Sequence, residues 1–346
     1  MSEENEEGVE QAKEAYVPGT LYIMQETDYL SGEKFDYYKI GIVRGEKDVA
    51  AREKEHSTGN PRQISSVKDI LSPAVQKLET RLHNEFARHR VSSGEWFYLP
   101  GDLLSQVIAL AEELNAELES EIEILKAAKL VSGPGSKPAF TPTEELLAVS
   151  QRLSDVLGQA AVVANYKKIV DTKLKELAQG DPKWEHLFER RSYAEKNTFN
   201  VAVLKKKYKA LYEEYQRIAK VSVTKRFTVK ATEFEADSIY AEFGLTEPEK
   251  IGDDIIGLHQ ANLAHWSIDA RLGWEQELLE AKLLTEASEA EGIEGILAWK
   301  TTESKNFDRK AFEIEHPVEF ADSFKFTPAT TTWRVAEWAS YSIKNY

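Results

Sequence analysis

Cysteine is absent from all 346 residues, which removes disulfide staples, zinc–thiolate sites and thiol nucleophiles from consideration. No apolar run approaches the roughly 18 to 20 residues that a membrane span needs. The first sixteen residues also lack the positive and apolar stretches of an export signal. The expectation is a soluble, unexported, cytoplasmic protein with no membrane partner. An excess of positive charge is missing too: 44 Lys and Arg stand against 59 Asp and Glu, a net charge of -15. That balance argues against a chain that coats nucleic acid non-specifically. The acidity is uneven, because residues 17–101 hold 12 basic and 12 acidic side chains and are neutral. A neutral module with local basic residues can still hold a phosphate backbone.

The length suits two or three domains, each able to bury a core without staples. Residues 1–16, with Glu3, Glu4, Glu6, Glu7, Glu10 and Glu14, have too few apolar groups to fold alone and read as a disordered acidic arm. From Val17 the pattern changes. Leu21 and Ile23, then Tyr37, Tyr38, Ile40 and Ile42, form two short apolar runs around Ser31-Gly32-Glu33, the signature of two strands and a hairpin-like loop. Asp48 is placed to cap a helix over Val49 to Ser57, which Gly59 and Pro61 end. Ile64 to Ile70 gives a third strand. Ser72-Pro73 opens a second helix with Pro at its first position and a buried stripe of Val75, Leu78, Leu82 and Phe86. Ser92-Ser93-Gly94 breaks the chain before an aromatic closing segment, Trp96 to Leu99, and a long helix runs from about Leu103 to Leu130.

Ser132 to Pro138 is dense in helix breakers, so residues 131–142 read as a linker between a domain at 17–130 and the rest. Beyond it, a helix from Thr143 to about Leu177 and a second to about Lys220, broken at Gly180-Asp181-Pro182, predict an antiparallel helical hairpin over 143–220. The second helix carries Leu204, Tyr208, Leu211, Tyr212 and Tyr215 at helical spacing. Residues 221–346 read as a mixed α/β, aromatic-rich end with an extended segment at Val221 to Phe234 and a third long helix from Ile251 to Leu284. The fold class expected is therefore an α+β N-terminal domain, a three-stranded antiparallel sheet flanked by helices, followed by a mainly α-helical region with a small mixed end. The helical stripes offer a coiled-coil or homo-oligomer seam.

Hydrolysis of a phosphodiester needs an activated water, charge neutralisation on the phosphoryl oxygens and a stabilised leaving oxyanion. Arg52 and His56 are one helical turn apart and emerge on one face. The Arg fork matches phosphate oxygens, and His titrates near neutrality. Glu79 can hold a hard divalent cation together with substrate oxygens and waters. Tyr22 would bring a hydroxyl from the first strand into the same cleft. Taken singly, these are a packed aromatic, a solvated helix face with Glu53 and Glu55, and surface charge beside Arg81. Their order and spacing together carry the functional reading.

Gly19-x-Leu21-Tyr22, Lys39-Ile40-Gly41, Arg52-x-x-x-His56 and Glu79 resemble the GIY-YIG nuclease superfamily. Ser57 to Arg62, Leu78-Glu79-x-x-Leu82-His83-x-x-Phe86 and Gly94-Glu95-Trp96-Phe97 are similar to its phage-type branch. The resemblance covers residues 18 to 100. It implies a DNA endonuclease using a single Mg2+ or Mn2+ ion, with Glu79 as metal ligand, Arg52 on the phosphate, Tyr22 near the attacking water and His56 as a second proton-transfer group. His83 and Glu95 recur in this branch. Tyr38, Arg62 and His83 are further candidates for holding substrate. Where the superfamily usually carries a second Tyr this chain has Lys39, so the general base is open among Tyr22, Lys39, Tyr38 and His56. Segments around Gly295 to Lys300, Phe307-Asp308 and His316-Pro317 faintly resemble extensions of phage recombination nucleases, which implies a phage-infected or prophage-bearing bacterial host. The competing expectations are a nucleic-acid-binding or scaffolding protein that keeps this fold without cleavage, and a chain whose helices serve assembly.

Overall fold

In β1 (Gly19–Asp28) apolar side chains point to both faces, and both faces are covered. Leu21 and Ile23 enter the main core, while Tyr22 and Met24 face Val43 and Ile64 on the other side. The computed structural model describes residues 16–45, 48–58, 60–91 and 94–338. The acidic arm, apart from Tyr16, and the breakers Gly59, Ser92 and Ser93 lie outside the described residues.

The N-terminal sheet is antiparallel, in the order β3-β1-β2-β4, with β2 at Lys34–Arg44, β3 at Arg62–Ser72 and β4 at Trp96–Tyr98. The aromatic closing segment is thus a fourth strand, paired through Tyr37 to Lys39, added to the three expected. The β1–β2 turn is set by Asp28, whose carboxylate accepts from the backbone of Leu30 and Ser31, and by Gly32 at φ 70°. Helix α1 (Val49–Ser57) begins where Asp48 accepts from the Ala51 N–H at 2.7 Å. It buries none of its residues and is pinned to the sheet by Glu53, which accepts from the Ser66 N–H. Helix α2 (Val75–Glu85) buries Val75, Leu78 and Leu82 as expected but starts after Ala74, so Pro73 precedes the helix and is not its first residue.

Three long helices extend the core away from the sheet: α3 (Leu103–Leu130), α4 (Glu144–Ala178, capped by the Thr143 hydroxyl) and α9 (Ile255–Glu286). Between the last two come β5 (Phe188–Tyr193), β6 (Lys196–Phe199), α5 (Val201–Lys207), α6 (Lys209–Glu214), β7 (Gln216–Phe227), α7 (Ala236–Phe243) and α8 (Pro248–Ile251). After α9 follow β8 (Gly292–Ile293), β9 (Leu297–Phe307), α10 (Arg309–Glu315), α11 (Pro317–Ala321), β10 (Phe324–Thr327) and β11 (Thr330–Val335).

The helical hairpin expected over 143–220 does not form. The Leu204 to Tyr215 stripe exists, but the helix breaks at Tyr208, and the two short pieces pack on Phe307, Phe312 and Phe320. The antiparallel partner of α4 is α9. Arg152 makes a two-toothed ion pair with Glu275 (2.5 and 2.7 Å), and Asn262 hydrogen-bonds Asp171 near the other end. The segment expected as a linker is pinned rather than free. Gly135 N–H donates to Ala290 O, Lys137 N–H to Glu289 O, and Glu291 N–H back to Lys137 O. One buried cluster runs from Leu21 through Leu82, Leu118 and Val163 to Leu272 and Val335, so the sheet and the long helices share a core. Among the described residues no helix is long and apolar enough to cross a membrane.

Candidate active site

The second-motif glycine is explained by the first-motif tyrosine. Tyr22 on β1 stands opposite Gly41 on β2, and a Cβ at Gly41 would meet the Tyr22 hydroxyl at 2.5 Å and its Cζ at 2.7 Å. The ring therefore lies across the glycine. Gly19 is equally constrained, since a Cβ there would meet the Val43 carbonyl oxygen at 2.3 Å and Val75 Cγ1 at 2.7 Å. These two glycines let β1 and β2 close up under α1 and α2, which aims the phenol along one face of the sheet.

On that face the Tyr22 hydroxyl sits 3.3 Å from His56 Nε2 on α1. Tyr22 is 1% exposed, and burial, aided by the negative charge of Glu95, pushes its phenol up to about 12. Burial also holds the His56 imidazole below its usual value, with the cations of Lys39 and Arg52 adding to the effect. At neutral pH the pair is a neutral phenol beside a neutral imidazole. His56 can then take a proton that Tyr22 or a water gives up.

Arg52, one turn before His56, donates through Nη1 to Glu55 at 2.6 Å. Its Nε is buried and has no hydrogen-bond partner among the described residues, so part of its fork is unspent. Lys39 is 12% exposed and donates to Glu95 at 2.5 Å. Glu79 is half-buried on α2 and accepts no hydrogen bond among the described residues. Burial raises its carboxyl to about 7, with the charge of Glu95 as the next cause and Arg44, Lys39 and Arg90 opposing. Burial thus outweighs the three nearby cations at this carboxyl.

Five of the sequence candidates, Tyr22, Lys39, Arg52, His56 and Glu79, therefore share one electrostatic neighbourhood. Tyr38 and Arg62 do not join it, and His83 borders it, feeling the charges of Arg90, Glu95 and Lys39. Tyr38 points into the opposite face, where its hydroxyl accepts from Gln25 Nε2 at 2.8 Å and its ring is part of the main core. It is removed from the candidates for substrate contact and general base. Arg62 pairs with Asp28 at the far end of β3, whereas Tyr22 pairs with Asp69, a separation of about 20 Å along the strands. It is occupied by Glu26 at 2.7 Å and by the ring of Phe35. His83 is a packing residue: burial lowers it to about 4, and its Nε2–H donates to the Ile40 carbonyl at 3.0 Å while its ring lies against Phe97. It braces β2 between Lys39 and Gly41 from behind.

Arg44 and Arg90 were missed by sequence reasoning. Arg44 ends β2 and Arg90 follows α2, where its Nε donates to Gly94 O at 2.7 Å. No spacing rule links them to Glu79; only the fold brings them near. Three hollows elsewhere, of about 290, 390 and 430 Å3, are lined by none of the candidate residues, and the first two lie around Tyr16 and Glu277.

Residues 19–114 match the T5orf172 domain family. It is a phage-associated domain with nuclease-like, GIY-YIG-like relatives. The matched segment runs from β1 into the first half of α3 and contains all eight sequence candidates with Arg44, Arg90 and Glu95. Comparison with curated proteins and with solved structures returns no match. Among the described residues no three His, Asp or Glu side chains converge on one metal position.

Proposed function

We propose that this chain is a metal-dependent DNA endonuclease of the GIY-YIG type, with the T5orf172 segment as its cutting domain. The observation that carries the reading is the Tyr22–His56 hydrogen bond lying in one electrostatic neighbourhood with Arg52 and the raised Glu79 carboxyl of α2. Glu79 fits a divalent cation because its half-buried carboxyl accepts no hydrogen bond among the described residues, and Mg2+ or Mn2+ needs only one or two carboxylates beside waters and substrate oxygens. A cation bound there would neutralise phosphoryl charge and acidify a water.

The chain's own residues supply the rest. Arg52, whose side chain is 36% exposed, presents its guanidinium to a phosphate oxygen, which suits the planar fork. Tyr22 orients the attacking water through its hydroxyl. His56 is the favoured base, because it is neutral at pH 7 whereas the Tyr22 phenol is held at about 12. Lys39, tied to Glu95, adds positive charge beside the reacting phosphate. The helical and ribbon-bearing remainder supplies targeting, since the cutting domain alone is too small to read a long site.

The alternative reading is a DNA-binding protein that keeps this arrangement without cleaving. A panel of duplex, branched and single-stranded DNA incubated with Mg2+ or Mn2+ separates the two. Cleavage by the wild type, reduced at least a hundredfold in Arg52→Ala with unchanged melting, supports the enzyme. No cleavage of any form with either ion supports the binder.

A further inference from the structure

Strands β7 and β9 form an antiparallel ribbon of eleven paired positions, about 35 Å long, that stands almost entirely in solvent. One end, Phe227 and Leu297, joins the main core. The other, Tyr215 and Phe307, joins the small aromatic cluster of Leu204, Phe312 and Phe320. In a chain of net charge -15 this ribbon holds Arg217, Lys220, Lys225, Arg226, Lys300 and Lys305 against one acid, Glu303.

The pairing register sorts these residues by face. Directly opposed residues in an antiparallel pair share a face, and faces alternate along each strand. Ala219 is the extra residue of a bulge between Ile218 and Lys220, so Arg217, opposite Asn306, stays on the same side as Lys220. One face therefore reads Arg217, Lys220, Ser222, Thr224 and Arg226 on β7, with Ala298, Lys300, Thr302, Ser304 and Asn306 on β9. It has four cations, four hydroxyls and an amide, and no acid or large apolar group. The other face reads Ile218, Val221, Val223, Lys225 and Phe227 against Leu297, Trp299, Thr301, Glu303 and Lys305. Three of the polar-face hydroxyls are braced across the strands: Ser222 on Thr302 O, Thr224 on Lys300 O and Ser304 on Lys220 O. Lys220, Arg226 and Lys300 are in no ion pair among the described residues, although the protein is rich in carboxylates.

We infer that this face of the β7–β9 ribbon is a docking surface for duplex DNA, distinct from the site around Tyr22, Arg52 and Glu79. A two-stranded ribbon fits the width of the major groove, Lys and Arg answer phosphate charge, and Ser, Thr and Asn answer phosphate and base-edge groups. The single-signed charge and the lack of apolar anchors on the face exclude a packed protein interface as its main use. The inference deepens the nuclease reading by naming what holds the substrate, but it does not need cleavage to be true.

The test uses the full chain in EDTA, with fluorescent duplex DNA and anisotropy measured over a range of salt. Two variants remove the same charge from opposite faces: Lys220→Ala with Lys300→Ala, and Lys225→Ala with Lys305→Ala. The first pair is expected to weaken binding about tenfold near physiological salt and to lower the salt slope by about 2, with an unchanged thermal melt. The second is expected to change affinity less than twofold. Equal losses in both, or no loss in the first, overturn the inference. Face-selective binding without cleavage at any metal concentration would uphold the ribbon and sink the nuclease, and cleavage with face-independent binding would do the reverse.

Discussion

The ring of Tyr22 occupies the space that a side chain at Gly41 would need, so the glycine of one motif and the tyrosine of the other are a single steric unit. Gly41→Ala must shift either the ring or β2. It is expected to cost about 1–3 kcal/mol by overpacking. It should also pull the phenol away from His56. Urea unfolding gives the first quantity, and loss of cleavage at a temperature where the variant is still folded gives the second. Wild-type activity in a folded Gly41→Ala chain would separate the glycine from the chemistry.

The Glu79 carboxyl is raised to about 7 in the folded chain, above the ordinary value of 4.5 that it regains on unfolding. A raised acid favours the folded state fully below the unfolded value, and this contribution is lost as pH rises from about 4.5 through about 7. Glu79→Gln should therefore stabilise the protein at pH 8, by about 1–3 kcal/mol after allowance for partial solvent screening, and leave it nearly unchanged at pH 4.5. Thermal melts at the two pH values in EDTA check this. A packing-only role would give a loss at both.

Glu95 is the second cause of the raised Glu79 carboxyl and also holds Lys39. Glu95→Gln removes the repulsion and releases the ammonium, and both changes lower the Glu79 value. The acid limb of a cleavage pH profile should then move down by about one unit. No movement would mean that Glu79 does not set that limb.

At the segment expected to be a linker, a Cβ on Gly135 would meet the Glu289 carbonyl carbon at 1.9 Å, whereas one on Gly133 would meet nothing within 4 Å. Gly135→Ala should destabilise by about 1–3 kcal/mol and open residues 131–142 to limited proteolysis. Gly133→Ala should do neither.

The features legible in the sequence were those fixed by neighbours along the chain. Asp48 capping α1, the breakers around α3 and the hydrophobic spacing of α2 act within a few residues. Tyr38 was misassigned although the rule that excludes it is local: adjacent strand residues face opposite ways, so Tyr38 cannot share a face with Lys39. The failed hairpin had a different cause. Leu204 to Tyr215 carries a helical stripe, but its partners Phe307, Phe312 and Phe320 lie about a hundred residues away, and the same is true of α4 and α9. The convergence of Glu79 with Arg44, Arg90 and Glu95 is likewise tertiary. Tyr22, His56 and Arg52 could be named from spacing, but the reason for Gly41 required the pairing register.

The most direct test of the central claim is nicking of supercoiled DNA by the wild type and by Glu79→Ala, with Mg2+ and with EDTA, at equal folded concentration. The account predicts metal-dependent nicking by the wild type and at least a hundredfold loss in the variant while duplex binding persists. Nicking by Glu79→Ala at the wild-type rate would contradict it.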